Sequence, residues 1–146
     1  MINVKVDFSS IKIDFQLERC ISFIKGNSGV GKTLLCSVLG STDYFRYTTI
    51  SPTDYKIIVA NSGTISAVIK AETNAIIFAD DLSDVENSDF ASLCSEYLVS
   101  NNLYLVLVVR SRTRFDSELN TSFSIYEMIR LDGIERALIP LKSQFR

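Results

Sequence analysis

The densest chemistry in the chain lies in Gly26-Asn27-Ser28-Gly29-Val30-Gly31-Lys32-Thr33. The stretch satisfies G-x-x-x-x-G-K-S/T at every fixed position, which chance yields in roughly one chain in a few hundred of this length. Gly26, Gly29 and Gly31 allow the backbone positive φ and a close approach to a ligand. Successive N–H groups then point at phosphate oxygens, with the positive end of a following helix behind them. Lys32 is placed to reach the terminal phosphates of a nucleotide, and the Thr33 hydroxyl to bind Mg²⁺. With Leu34, the stretch makes a continuous ligand-facing segment. An accidental Gly-Lys-Thr at a helix start is the plain alternative, and the flanking pattern argues against it.

A second group of candidates lies downstream. Residues 75–79 (Ala75-Ile76-Ile77-Phe78-Ala79) form an apolar run that ends in Asp80-Asp81. Such a run reads as a buried strand that delivers a carboxylate to a sheet edge. Asp80 is the natural metal-linked acid, because a bound Mg²⁺ needs oxygen ligands or acceptors for its water. Asp81 could orient or deprotonate an attacking water, although its side chain is one methylene shorter than glutamate. A turn or cap role for Asp81 weighs equally. Arg110, Arg112 and Arg114 follow the longest apolar run, residues 103–109. A guanidinium there could meet a terminal phosphate in cis or act in trans on a neighbouring subunit, and Arg110 stands nearest the strand end. A solvated basic loop is the rival reading.

These residues need elements to hold them. Residues 20–25 (Cys20-Ile21-Ser22-Phe23-Ile24-Lys25) are β-prone and apolar, and residues 34–39 have helical spacing and stop at Gly40, a plausible cap. Residues 2–8 and 11–17 alternate apolar and polar, predicting an antiparallel hairpin around Ser9-Ser10. Residues 41–54 read as a polar and aromatic connector, and 56–60 as a short strand. A short helix is expected from near Ser62, and a longer one over 88–100. Asp132-Gly133 between two alternating runs predicts a C-terminal hairpin.

The chain has 146 residues, 47% hydrophobic and 22% charged, as expected of one globular domain spanning 1–146. A formal charge of −2 supplies no global field for nucleic acid or anionic lipid, although local basic patches leave nucleic acid open. There is no histidine, which removes the commonest general base and zinc ligand. Cys20, Cys36 and Cys94 sit in apolar contexts without a C-x-x-C, which suits reduced thiols in the cytoplasm. No apolar run is long enough for a transmembrane segment, and the start lacks the layout of a signal peptide.

Taken together, Gly26 to Thr33 and residues 75–81 resemble the Walker A and Walker B motifs of P-loop NTPases. The order of elements is similar to the core of ABC-type ATPases, in the additional-strand group that also holds AAA-type and RecA-type proteins. The resemblance implies a three-layer α/β P-loop fold, with a mainly parallel central sheet and antiparallel hairpins at the N- and C-terminal ends. It also implies ATP and Mg²⁺ as ligands. The Asp80 strand is then expected between the strand before Gly26 and another strand. The departures matter. The stretch from Leu34 to Asn74 leaves no room for the ABC helical subdomain and holds no L-S-G-G-Q-like sequence. Gln16 and Gln144 are the only glutamines, Arg110 stands where a switch histidine is usual, and an AAA-type helical lid is not expected.

The expected function is Mg²⁺-dependent ATP binding with slow hydrolysis, coupled to another protein subunit or to self-association. ATP is preferred to GTP because no Asn-Lys-x-Asp motif is present. A small-molecule or nucleotide kinase with an arginine-rich lid is one alternative. A non-catalytic regulatory module is the other.

Overall fold

The computed structural model describes residues 2–8, 11–25, 32–80, 88–109, 124–131 and 135–140. The first two strands, β1 (Ile2–Phe8) and β2 (Ile11–Leu17), form the antiparallel hairpin that their alternation predicts. Val4 stands opposite Phe15 and Val6 opposite Ile13, so one face gathers Ile2, Val4, Val6, Ile13, Phe15 and Leu17, all buried. The other face carries Lys5 and Asp14, 3.9 Å apart and largely exposed, an ion pair that adds little stability.

The parallel part of the sheet comprises β3 (Ile21–Lys25), β5 (Lys56–Ala60), β6 (Ala75–Asp80), β7 (Leu103–Val109) and β8 (Ser124–Leu131). With β4 (Thr48–Ser51) and β9 (Glu135–Pro140), the nine strands among the described residues run in the order β4-β1-β2-β9-β8-β3-β7-β6-β5. β8 and β9 make the expected C-terminal antiparallel hairpin, and the fold is α/β. Unbroken apolar runs in β6 and β7 follow from cover on both faces. One face meets α2 (Ile65–Ala71) and α3 (Ser88–Tyr97), where Ile65, Ile69, Phe90 and Cys94 pack with Phe23, Ile77 and Leu105. The opposite face meets α1 (Lys32–Leu39) and the β1–β2 hairpin, where Leu35, Cys36 and Leu39 join Phe15, Ile24, Phe78 and Val106.

Three expectations need correction. The Asp80 strand does not adjoin β3, because β7 lies between them. β7, the longest apolar run, takes the central slot where both of its faces and both of its edges are covered. The connector 41–54 contains a 3-10 turn (Tyr44–Arg46) and β4, which pairs antiparallel with β1. Thr48-Thr49-Ile50-Ser51 has one apolar residue and so no alternation, yet β-branched threonines suit an extended backbone. The helix expected from Ser62 begins at Ile65, after Asn61 and Thr64 have closed a turn in which Ile65 N–H donates to the Asn61 carbonyl at 2.9 Å.

The sheet is strongly curved. Phe15 on β2 and Phe78 on β6 meet edge to face with centroids 6.4 Å apart. Five strand spacings would hold them ~24 Å apart in a flat sheet. Curvature therefore folds the N-terminal hairpin over the α1 face. At the β5 edge, the Ile57 N–H donates to Tyr44 Oη at 3.3 Å, so the 3-10 turn covers part of that edge.

Candidate functional site

β3 ends at Lys25 and α1 begins at Lys32, so strand and helix stand where the spacing of the glycine stretch requires them. Gly26, Asn27, Ser28, Gly29, Val30 and Gly31 lie outside the described residues, as do Asp81, Arg110, Arg112 and Arg114. Lys32 and Thr33 are placed through their backbone in the first turn of α1. That turn carries no acidic residue, so no carboxylate within it offsets the positive helix end. Leu34 is 37% exposed, whereas Leu35, Cys36 and Leu39 are buried.

The helix ends with Gly40 N–H donating to the Cys36 carbonyl at 2.9 Å and Ser41 Oγ donating to the Val38 carbonyl at 2.8 Å. Space, not backbone conformation, calls for glycine at 40. A Cβ there would meet the Cys36 carbonyl oxygen at 3.2 Å and the Val59 side chain at 3.5 Å. Close contact with β5 is thus built into the end of α1.

Asp80 reaches the same rim of the sheet from two strands away. Ile24 of β3 and Asp80 of β6 both pair with Val108 of β7, so the three form one row across the parallel strands. Along β6, Ala75, Ile77 and Ala79 face α2 and α3, while Ile76 and Phe78 face α1 and the hairpin. Asp80 is next in the second series, which puts it on the α1 face. It is half-buried, after a run of five fully buried residues.

Electrostatics supports that placement. Burial, and then the nearby charge of Asp80, push the Cys36 thiol up to about 12. Cys36 lies about one turn after position 33 on α1. α1 also packs against β6, so Asp80 ends its strand on the side of the sheet that carries the helix beginning with Lys32 and Thr33. The thiol stays protonated at neutral pH, so it does not compete as a thiolate for a cation at Asp80.

The Asp80 carboxylate is an oxygen donor of the kind that a hard divalent cation such as Mg²⁺ takes. Among the described residues, no three of histidine, cysteine, aspartate and glutamate converge as a metal cluster.

Sequence reasoning missed Cys36 as a neighbour of Asp80. The available signal was its position one helical turn beyond Thr33. It also missed the packing of the hairpin against the Asp80 strand, which needs the curvature of the whole sheet and leaves no local trace.

Cys20, Cys36 and Cys94 are free thiols. Burial, and then the charge of Cys20, push Cys94 up to about 12, so it too stays protonated. Among the described residues, no helix is long and apolar enough to cross a membrane. No protein-family model matches the chain, and no curated protein matches it.

Proposed function

We propose that this chain is a minimal P-loop domain that binds ATP with Mg²⁺ and hydrolyses it slowly. One observation carries the reading: a complete G-x-x-x-x-G-K-S/T stretch joins β3 to α1, and Asp80 stands on the α1 face of the same rim. β7, inserted between β3 and β6, supports kinship with the additional-strand group.

In this reading the backbone of residues 26–31 cradles the phosphates and Lys32 holds the charge of the terminal ones. Thr33 and Asp80 would hold the cation, which would supply positive charge against the negative charge of the nucleotide phosphates. Asp81 orients the attacking water, since the chain has no histidine to do so. Arg110, following β7, is the candidate for contact with the γ-phosphate. Without an arginine supplied at the right moment, hydrolysis runs slower by a factor of about 10³–10⁵, which fits a domain that waits for a partner subunit.

The test is phosphate release from ATP by purified protein, with and without Mg²⁺ and with no other acceptor present. Slow, Mg²⁺-dependent release is expected. Transfer only to an added small-molecule acceptor would make the protein a kinase instead. Thermal stabilisation by ATP without any turnover would make it a regulatory module.

A further inference from the structure

Phe78 and Asp80 occupy alternate positions on one face of β6, so the backbone that fixes the Phe78 ring also fixes the direction in which Asp80 leaves the sheet. Phe78 is fully buried, and its aromatic partner is Phe15, from the middle of the N-terminal hairpin, edge to face at 6.4 Å. Leu35 and Cys36 of α1 belong to the same buried cluster as these two rings. The hairpin, the Asp80 strand and the helix that begins with Lys32 and Thr33 therefore share one packed layer. Phe15 is well supported within it. Val4 stands opposite it on β1, and Ile13 and Leu17 flank it on the same face.

We infer that Phe15 is a positioning residue for the cation site: its ring, packed on Phe78, sets where Asp80 stands relative to the start of α1. The inference rests on the nucleotide-binding reading above and extends it to the N-terminal hairpin, which carries no phosphate-binding motif of its own. Packed interiors shift rather than flex evenly when a side chain changes shape, so a gap at Phe15 is passed to Phe78 and along β6. A carboxylate moved by a fraction of an ångström loses cation affinity, as ligands do when their supporting shell is altered.

The experiment titrates Mg²⁺ against the full-length protein at a fixed concentration of fluorescent ATP analogue, with circular dichroism and thermal melting alongside. Phe15→Leu is compared with Ile13→Val, a substitution on the same face of the same strand. The conservative Phe15→Met follows as a rescue. Phe15→Leu is expected to raise the Mg²⁺ midpoint roughly tenfold at temperatures where it remains folded, with affinity for Mg²⁺-free nucleotide unchanged. Ile13→Val is expected to leave the midpoint alone, and Phe15→Met, which fills more of the gap, to recover part of the shift.

If the parent shows Mg²⁺-dependent binding and Phe15→Leu matches it, the inference is overturned and the nucleotide reading stands. Equal shifts from Phe15→Leu and Ile13→Val would also overturn it, because general loosening of the hairpin would then account for both. If the parent binds no nucleotide at any Mg²⁺ concentration, the reading and the inference fall together.

Discussion

The carboxylate of Asp80, at the end of β6, acts electrostatically on the thiol of Cys36, one turn into the middle of α1. Residues far apart in the chain are thereby joined across the boundary between sheet and helix. The joint occurs on the face where β6 turns Ile76 and Phe78 toward Leu35 and Leu39.

Removing the charge should release part of the effect on the thiol. Asp80→Asn is expected to lower the Cys36 pKa from about 12 without returning it to the ordinary value of 9.0, since burial is the larger cause. The pH profile of Cys36 alkylation, resolved by mass spectrometry of the folded protein, measures this. A profile identical to that of the parent would place Asp80 away from α1.

The buried thiols also predict an alkaline limit to stability. Cys36 and Cys94 are raised in the folded state from 9.0 to about 12, so the folded form holds protons that the unfolded chain releases. Their contribution is whole below pH 9 and is lost as pH rises toward 12. The slope is at most ~1.4 kcal/mol per pH unit per thiol. Urea unfolding between pH 8 and 11 should show the decline, and Cys36→Ala should flatten it relative to its own value at pH 8.

Much of the fold was legible in local pattern. The alternation in β1 and β2 and the apolar runs of β6 and β7 each state their element directly. Strand order was not, because nothing within β6 or β7 says which of them lies beside β3. β4 escaped because Ile50 alone marks its buried side, and the strand exists through pairing with β1. For the candidate site, the place of Asp80 at the end of β6 was legible as the polar end of an apolar run. Its closeness to Cys36 was not, since that depends on α1 lying across β5 and β6.

The opposite rim of the sheet makes a separate prediction. Asn74 and Asn102 precede β6 and β7 with φ of 52° and 56°, a region that asparagine tolerates better than most residues. Asn102 Nδ2 donates to Asn74 Oδ1 at 2.8 Å, and Tyr55 Oη donates to Asn102 Oδ1 at 3.1 Å. Asn102→Ala loses both bonds and strains the turn, and should cost about 1–3 kcal/mol in denaturant unfolding. Asn102→Gly keeps the conformation and should cost less. Neither should alter nucleotide affinity, because this rim lies at the far end of the strands.

For the arginines, cis and trans action separate in a mixing experiment. Arg110 follows β7, whose Val108 pairs with both Ile24 and Asp80. Lys32→Ala protein retains its arginines, and Arg110→Ala protein retains its glycine stretch. Recovered hydrolysis on mixing the two identifies a guanidinium supplied in trans. A loss in Arg110→Ala that is independent of concentration and not rescued identifies a cis contact. Parent-level hydrolysis in Arg110→Ala, Arg112→Ala and Arg114→Ala alike assigns the cluster to solvent.

The central claim is that the junction of β3 and α1 binds nucleotide phosphates, and calorimetry of ATP binding to the parent and to Lys32→Ala tests it most directly. Circular dichroism serves as the folding control. Saturable binding by the parent is expected, strengthened by Mg²⁺, with affinity reduced about tenfold or more (~1.4 kcal/mol) in a folded Lys32→Ala protein. Equal affinity in the two proteins, or no binding by the parent with Mg²⁺ present, would contradict the account.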